Sequence, residues 1–63
     1  MSDITLEFEA EDCYIEKRYT QDGGFVWKII DREGDILKMK YSVFDVIPEG
    51  WKDFAKSYKL QKE

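Results

Sequence analysis

Residues 21–42 decide the fold, and they read "QDGGFVWKIIDREGDILKMKYS". Two runs rich in apolar residues, "FVWKIID" (25–31) and "ILKMKYS" (36–42), are each preceded by a turn sequence that contains glycine. Such runs between turn-forming residues are typical of antiparallel strands joined by hairpins. Gly23, Gly24 and Gly34 can adopt the positive φ that tight hairpin turns need, at no steric cost. We therefore predict the third and fourth strands of a sheet at these ranges.

Two further strands are predicted before this hairpin. "ITLEFEAE" (4–11) alternates apolar and polar side chains with a period of two, as a half-buried strand does. Its apolar set, expected to face the core, is Ile4, Leu6, Phe8 and Ala10. "CYIEKRYT" (13–20) follows, with Cys13, Ile15 and Tyr19 on one face and the charged Lys17 among them. Because short hairpins make neighbours in sequence neighbours in space, the strand order 1-2-3-4 is predicted.

A helix is predicted at "PEGWKDFAKSYKLQ" (48–61). Its apolar residues fall at i, i+3, i+4 and i+7 and form one stripe: Trp51, Phe54, Ala55 and Tyr58. Pro48 suits the first turn of a helix, where its missing N–H costs nothing. The preceding "VFDVI" (43–47) leaves three alternatives open: an extension of strand four, a turn, or the start of a helix capped by Ser42.

Together these elements predict an α+β fold in a single domain over residues 1–63. It is a four-stranded antiparallel meander sheet with one C-terminal helix packed on one face. The side chains expected beneath the helix are Leu6, Phe8, Ile15, Trp27, Ile29 and Met39. Those expected on the other face are Glu7, Glu9, Glu11, Tyr14, Glu16, Arg18, Val26, Lys28, Ile30, Lys38 and Lys40. This second face is expected to run from an acidic edge at strand one to a basic edge at strand four.

Composition narrows the function classes. The chain has 63 residues, a net charge of −4, one cysteine and no histidine. The missing histidine removes Ser/His/Asp and Cys/His catalytic arrangements, and one cysteine cannot build a structural zinc site. We expect no enzyme activity, no metal and no cofactor, with Cys13 a small buried hydrophobe. With no signal peptide and no apolar run near the roughly 20 residues of a membrane span, a cytoplasmic protein is expected.

The stretch "ITLEFEAEDCYIE" (4–16) holds five carboxylates and no Lys or Arg. One interpretation is a docking surface for a protein with a basic surface, formed by Glu7, Glu9, Glu11 and Asp12. The other is that charges on an edge strand prevent sheet-to-sheet aggregation. The sequence leaves both open.

Tyr14, Val26 and Ile30 form a second candidate site, because apolar side chains on a solvent-facing sheet surface need an explanation. They would be a homodimer or partner surface. The alternative is a register error or a bulge that buries one of them.

The run "GGFVWKIIDREGDILKMKYSVFDVIPEGWKDFAKSYKL" (23–60) resembles, at the level of its pattern, a Pur-alpha-type repeat or the related whirly-type fold. The segment that carries the resemblance is "MKYSVFDVIPEGWKDF" (39–54). The resemblance implies a dimer that binds single-stranded nucleic acid on the sheet face. By position the binding residues would be Tyr14, Arg18, Lys28, Lys38 and Lys40. The chain departs from that pattern in charge, since the glutamates expected on the same face would repel phosphate.

Three functional hypotheses follow. The preferred one is a small non-enzymatic protein-binding module, of the kind that phages and mobile elements encode as inhibitors or regulators of nucleic-acid-handling proteins. It would then work in the host cytoplasm and meet a basic partner through its acidic strand. The second is a single-stranded nucleic-acid-binding protein using Arg18, Lys28, Lys38 and Lys40. The third is a structural or assembly protein, such as a virion component. No membrane association is expected.

Overall fold

The computed structural model describes residues 3–60. Four strands form one antiparallel sheet in the order β1-β2-β3-β4: β1 is Ile4–Glu9, β2 Cys13–Tyr19, β3 Phe25–Asp31 and β4 Ile36–Ser42. One helix, α1, spans Trp51–Ser57. The predicted α+β meander with a C-terminal helix is therefore confirmed, and the ranges of β3 and β4 agree with those predicted.

The core lies between one face of the sheet and α1; we call this sheet surface the helix face. Its buried members are Cys13, Ile15, Phe25, Trp27, Ile29, Trp51 and Ala55. Half-buried side chains surround them: Phe8, Ala10, Leu37, Ile47, Phe54 and Tyr58. The aromatic rings bring large side-chain surfaces to this core, which a chain of this length needs because small domains bury little surface. The predicted helix stripe is confirmed for Trp51, Phe54 and Ala55, while Tyr58 packs on the core from extended backbone after the helix.

The β2–β3 hairpin and the β3–β4 hairpin are closed by side chains as well as by glycine. Gly23 and Gly34 have φ of 87° and 94°, in the left-handed region that glycine tolerates. In the second turn Asp31 Oδ1 accepts hydrogen bonds from the Glu33 and Asp35 amides, both at 2.9 Å. Asp31 is only 3% exposed, so a buried carboxylate holds a turn whose residues 32–35 are exposed.

A bulge in β1 overturns part of the predicted core. Leu6 pairs with Glu16 but Phe8 pairs with Ile15, so Glu7 is the extra residue. A bulge residue shifts the alternation of the strand by one position. Phe8 therefore turns to the helix face, while Ile4 and Leu6 lie on the opposite face, exposed. The prediction that Ile4 and Leu6 pack in the core was wrong for this reason.

A second irregularity reverses the faces predicted for β4. Ile29 pairs with Lys38 and Ile30 pairs with Ile36, which leaves Leu37 as the extra residue. Leu37 packs on the core, and the residues after it change face. Lys38 and Lys40 therefore lie on the helix face, not on the face predicted for them. Met39, predicted in the core, is 64% exposed on the opposite face.

The helix is shorter than its sequence pattern suggests. Gly50 is the N-cap residue with φ of 85°, and Tyr58 is already extended. Pro48 lies before the helix, not in its first turn. Residues 43–47 contain no helix or strand, with successive bends at 43–46, which settles the alternatives left open for them. The last predicted helical residue, Gln61, lies outside the described residues.

Candidate protein-binding surface

The sheet surface opposite α1 is a patterned array of side chains, which we call the free face. Antiparallel pairing arranges it in three rows that cross all four strands. The first row is Glu9, Tyr14, Ile30 and Ile36. The central row is Leu6, Glu16, Lys28 and Met39. The third row is Ile4, Arg18, Val26 and Tyr41.

The free face is largely apolar and open to water. Met39 is 64% and Leu6 58% exposed, at the two ends of the central row. Ile4, Ile36 and Tyr41 are exposed as well. The predicted patch residues Tyr14, Val26 and Ile30 all lie on this face and are half-buried. The apolar side chains of β3 and β4, with Tyr14 beside them, therefore lie next to one another, while Ile4 and Leu6 on β1 are separated from them by Glu16 and Arg18.

The central row also carries one charge of each sign on its two inner strands. Glu16 on β2 and Lys28 on β3 are cross-strand partners. Within residues 3–60 the ion pairs at 4.0 Å or less join Lys17 with Glu7 and Asp45, Arg32 with Glu9, and Lys59 with Glu11. Glu16 and Lys28 take part in none of these, so their charged groups remain available to an incoming surface.

The four acids predicted as a docking row do not share one face. The β1 bulge turns Glu7 toward the helix face, where its carboxylate lies 3.6 Å from Lys17 Nζ. Glu9 stays on the free face, 3.0 Å from the Arg32 guanidinium. In the β1–β2 turn, Glu11 pairs with Lys59 at 2.9 Å. Asp12 Oδ2 accepts a hydrogen bond from the Leu60 amide, also at 2.9 Å.

The basic residues proposed for nucleic-acid binding are divided in the same way. Arg18 and Lys28 lie on the free face, while Lys38 and Lys40 lie on the helix face. Lys38 Nζ lies 5.0 Å from the centre of the Phe54 ring, on the side of the sheet that α1 covers. A basic half of one sheet face, as predicted, is therefore not formed.

Lys17 interrupts the core face of β2. Its ammonium group contacts a carboxylate and an aromatic ring. Its Nζ is 2.7 Å from Asp45 Oδ1 and 5.2 Å from the centre of the Phe25 ring. The hydrogen bond to Asp45 is the main reason that the pKa of Lys17 is raised. This ion pair ties residues 43–47 to the sheet, and it leaves Val43, Phe44 and Val46 exposed beside it. They form a second, smaller apolar patch, which we call the loop patch.

Tyr41 anchors one corner of the free face. Its hydroxyl donates to Asp22 Oδ2 at 3.1 Å, which raises the pKa of Tyr41. The pKa of Asp22 is lowered, first by the hydroxyl of Thr20 and then by that of Tyr41. Sequence reasoning missed Tyr41, Met39 and Leu6 as surface residues. Their apolar character predicts burial, and the bulges that expose Leu6 and Met39 have no signature in the sequence.

Reactive chemistry is sparse in the described part of the chain. Residues 3–60 contain no group of three or more acidic, Cys or His side chains placed to hold a metal ion. Cys13 is fully buried, burial raises the pKa of its thiol, and its Sγ lies 3.6 Å from the Ala55 carbonyl oxygen. A buried thiol of raised pKa is a poor nucleophile, as predicted for a packing residue. No helix within residues 3–60 has the length and apolar character to cross a membrane.

Comparison with known proteins adds no family. No protein-family model, curated protein or solved structure matches this chain. The resemblance to Pur-alpha-type and whirly-type folds therefore stays a prediction.

Proposed function

We propose that this protein is a small non-enzymatic protein-binding module and that the free face is its binding surface. The observation that carries the proposal is the number of exposed apolar side chains on the free face, which lie on β1 and on β4. Protein interfaces are enriched in Met, Tyr and Arg, and the free face presents Met39, Tyr14, Tyr41 and Arg18. Large apolar patches with polar residues among them are typical of interaction sites.

The acidic β1–β2 edge supports a partner with a basic surface. Residues 1–16 carry six acidic side chains and no basic one. The ion pairs with Lys17, Arg32 and Lys59 neutralise only part of this charge. Such an edge speeds encounter with a basic protein more than it adds affinity. Nucleic-acid-handling proteins carry basic surfaces, so an inhibitor or regulator of one is the role that we favour within this proposal.

Binding of single-stranded nucleic acid is the weaker candidate. It requires a positive groove with aromatic platforms. On the free face the bases Arg18 and Lys28, together with Arg32, whose guanidinium lies 5.4 Å from the centre of the Tyr14 ring, are accompanied by Glu9 and Glu16. A labelled single strand titrated at two salt concentrations tests this candidate, since binding through phosphates weakens as salt rises.

A matched pair of variants tests the proposal. Met39→Lys places a charge in the free face, and Val43→Lys places one in the loop patch at nearly the same exposure, 64% against 62%. Proteins retained from a lysate of the source cell are compared for both variants and the unchanged chain. We expect Met39→Lys to lose the bound protein and Val43→Lys to keep it. The reverse pattern would place the binding surface on the loop patch and contradict the proposal.

A further inference from the structure

We propose that the free face binds the free face of a second copy of this chain. This inference rests on the proposed function, because it names the occupant of the same surface. Two observations support it: the charges of the central row and the strand register. When one copy is rotated about a single two-fold axis, opposite charges and matching rows of the two copies face each other.

The two-fold axis runs parallel to the strands, between β2 and β3. Rotation about it brings two sheets face to face with β2 over the partner's β3 and β1 over the partner's β4. Each row stays level with the same row of the partner, because the rotation does not move residues along the strand direction. Face-to-face sheets pack about 10 Å apart with strands nearly aligned, which lets facing side chains meet.

The charges of the central row match under this rotation. Glu16 faces the partner's Lys28, and Lys28 faces the partner's Glu16. Both groups lack an ion-pair partner within residues 3–60 of their own chain. The contact is isologous, so one register forms two opposite-charge pairs at the centre of the interface.

The apolar residues match as well. Leu6 at one end of the central row faces the partner's Met39, and Tyr14 faces the partner's Ile30. These contacts remove the exposed Leu6 and Met39 from water, while in the outer rows Arg18 faces the partner's Val26 and Glu9 faces the partner's Ile36. Flexible Met side chains adapt readily to an opposing surface.

The other in-plane two-fold axis, perpendicular to the strands, is disfavoured by the same charges. It places β2 over the partner's β2, so Glu16 would face the partner's Glu16 and Lys28 the partner's Lys28. Like charges brought together in an interface cost several kcal/mol. The charge pattern therefore selects the axis parallel to the strands.

The size of the face predicts a reversible dimer. Four strands about 4.8 Å apart and about 3.4 Å per residue make the face roughly 19 by 20 Å. A standard stable interface buries about 800 Å² on each partner, more than the flat area of this face. We therefore expect monomer and dimer to exchange with concentration, and every row to be needed for association.

Sedimentation velocity over a concentration series tests the inference. The unchanged chain should shift from monomer to dimer as its concentration rises. Glu16→Lys and Lys28→Glu each place like charges across the interface, so each variant alone should dimerise more than about tenfold more weakly. An equimolar mixture of the two should dimerise again, because a positive central row then faces a negative one. The double variant should also dimerise, since it exchanges the signs of both partners.

Circular dichroism shows whether each variant is folded. If the mixture of the two variants dimerises, their separate failure to dimerise is due to repulsion in the interface and not to damage to the fold. A chain that stays monomeric at every concentration, or a mixture that stays monomeric, overturns the inference. If the unchanged chain is monomeric but Met39→Lys still loses its protein partner, the second copy is the wrong occupant and the proposed function stands. If Met39→Lys retains both its partner and its dimer, the proposed function fails as well.

Discussion

The ring of Tyr41 lies directly against Gly24. A Cβ atom at position 24 would be 2.6 Å from Tyr41 Cζ, a distance that such atoms do not reach. The ring starts on β4 and ends at the β2–β3 turn, where its hydroxyl donates to Asp22 at 3.1 Å. Position 24 therefore requires glycine because the Tyr41 ring occupies the space of a Cβ atom. The backbone conformation does not require it, since the φ of Gly24 is not positive. The contact joins the free edge of the sheet to its central hairpin.

Gly24→Ala should destabilise the fold because the added methyl group displaces Tyr41. Overpacking of this kind costs about 1–3 kcal/mol in the free energy of unfolding, measured by urea denaturation. In a Tyr41→Ala background the same change should cost much less, since the opposing ring is gone. Equal losses in both backgrounds would show that the two residues do not interact.

Asp31→Ala should remove the carboxylate that satisfies two turn amides. Hydrogen bonds to a charged group contribute about 1.5–3 kcal/mol to the free energy of unfolding, so a loss of that order is expected. Glu33→Ala is the matched control, because the Glu33 side chain is exposed in the same turn. If both variants unfold at the same urea concentration, the Asp31 carboxylate does not stabilise the turn.

Leu6→Ser and Phe8→Ser test the β1 bulge. Phe8 packs on the core and Leu6 does not, so Phe8→Ser should lower the free energy of unfolding by about 1–3 kcal/mol. Leu6→Ser should change the stability of the monomer by less than about 0.5 kcal/mol. Thermal unfolding at low protein concentration, where association is weak, measures both. A regular strand without a bulge would make the two losses similar.

Stability should fall at alkaline pH, in part through Lys17. Its pKa is raised above the ordinary value of 10.5, chiefly by the hydrogen bond to Asp45. A group with a raised pKa stabilises the fold fully below its unfolded pKa, and this contribution is lost as pH rises through the folded value. Lys17→Met should therefore flatten the decline in unfolding free energy from about pH 10 upward. Urea denaturation at a series of pH values measures it, and an unchanged slope would contradict the assignment.

The strand ranges and the helix stripe could be predicted because periodicity and turn residues are local signals. The faces of β1 and β4 could not. Each strand contains one bulge, at Glu7 and Leu37, and an extra residue reverses every side chain beyond it. Register depends on the partner strand, so a pattern within one strand does not reveal it. Lys17, a charge within a core face, was the visible irregularity, and its explanation is a residue 28 positions away, Asp45.

The candidate site followed the same division. Tyr14, Val26 and Ile30 belong to β2 and β3, which pair without irregularity, and their predicted face is confirmed. The predicted acidic row depended on the register of β1, and the predicted basic row on that of β4. In the structure the residues of each row are divided between the two faces. Leu6 and Met39, predicted in the core, lie on the free face. Glu7, Lys38 and Lys40, predicted on the free face, do not. The free face therefore carries fewer charges and more apolar side chains than the sequence suggested.

The most direct test of the free face as the surface that binds a second copy is a methyl-resolved NMR dilution series on the unchanged chain. As the concentration rises, the methyl signals of Leu6, Ile30 and Met39 should shift together along one binding curve, while those of Val43 and Val46 stay fixed. Signals that do not move, or shifts confined to Val43 and Val46, would contradict the account.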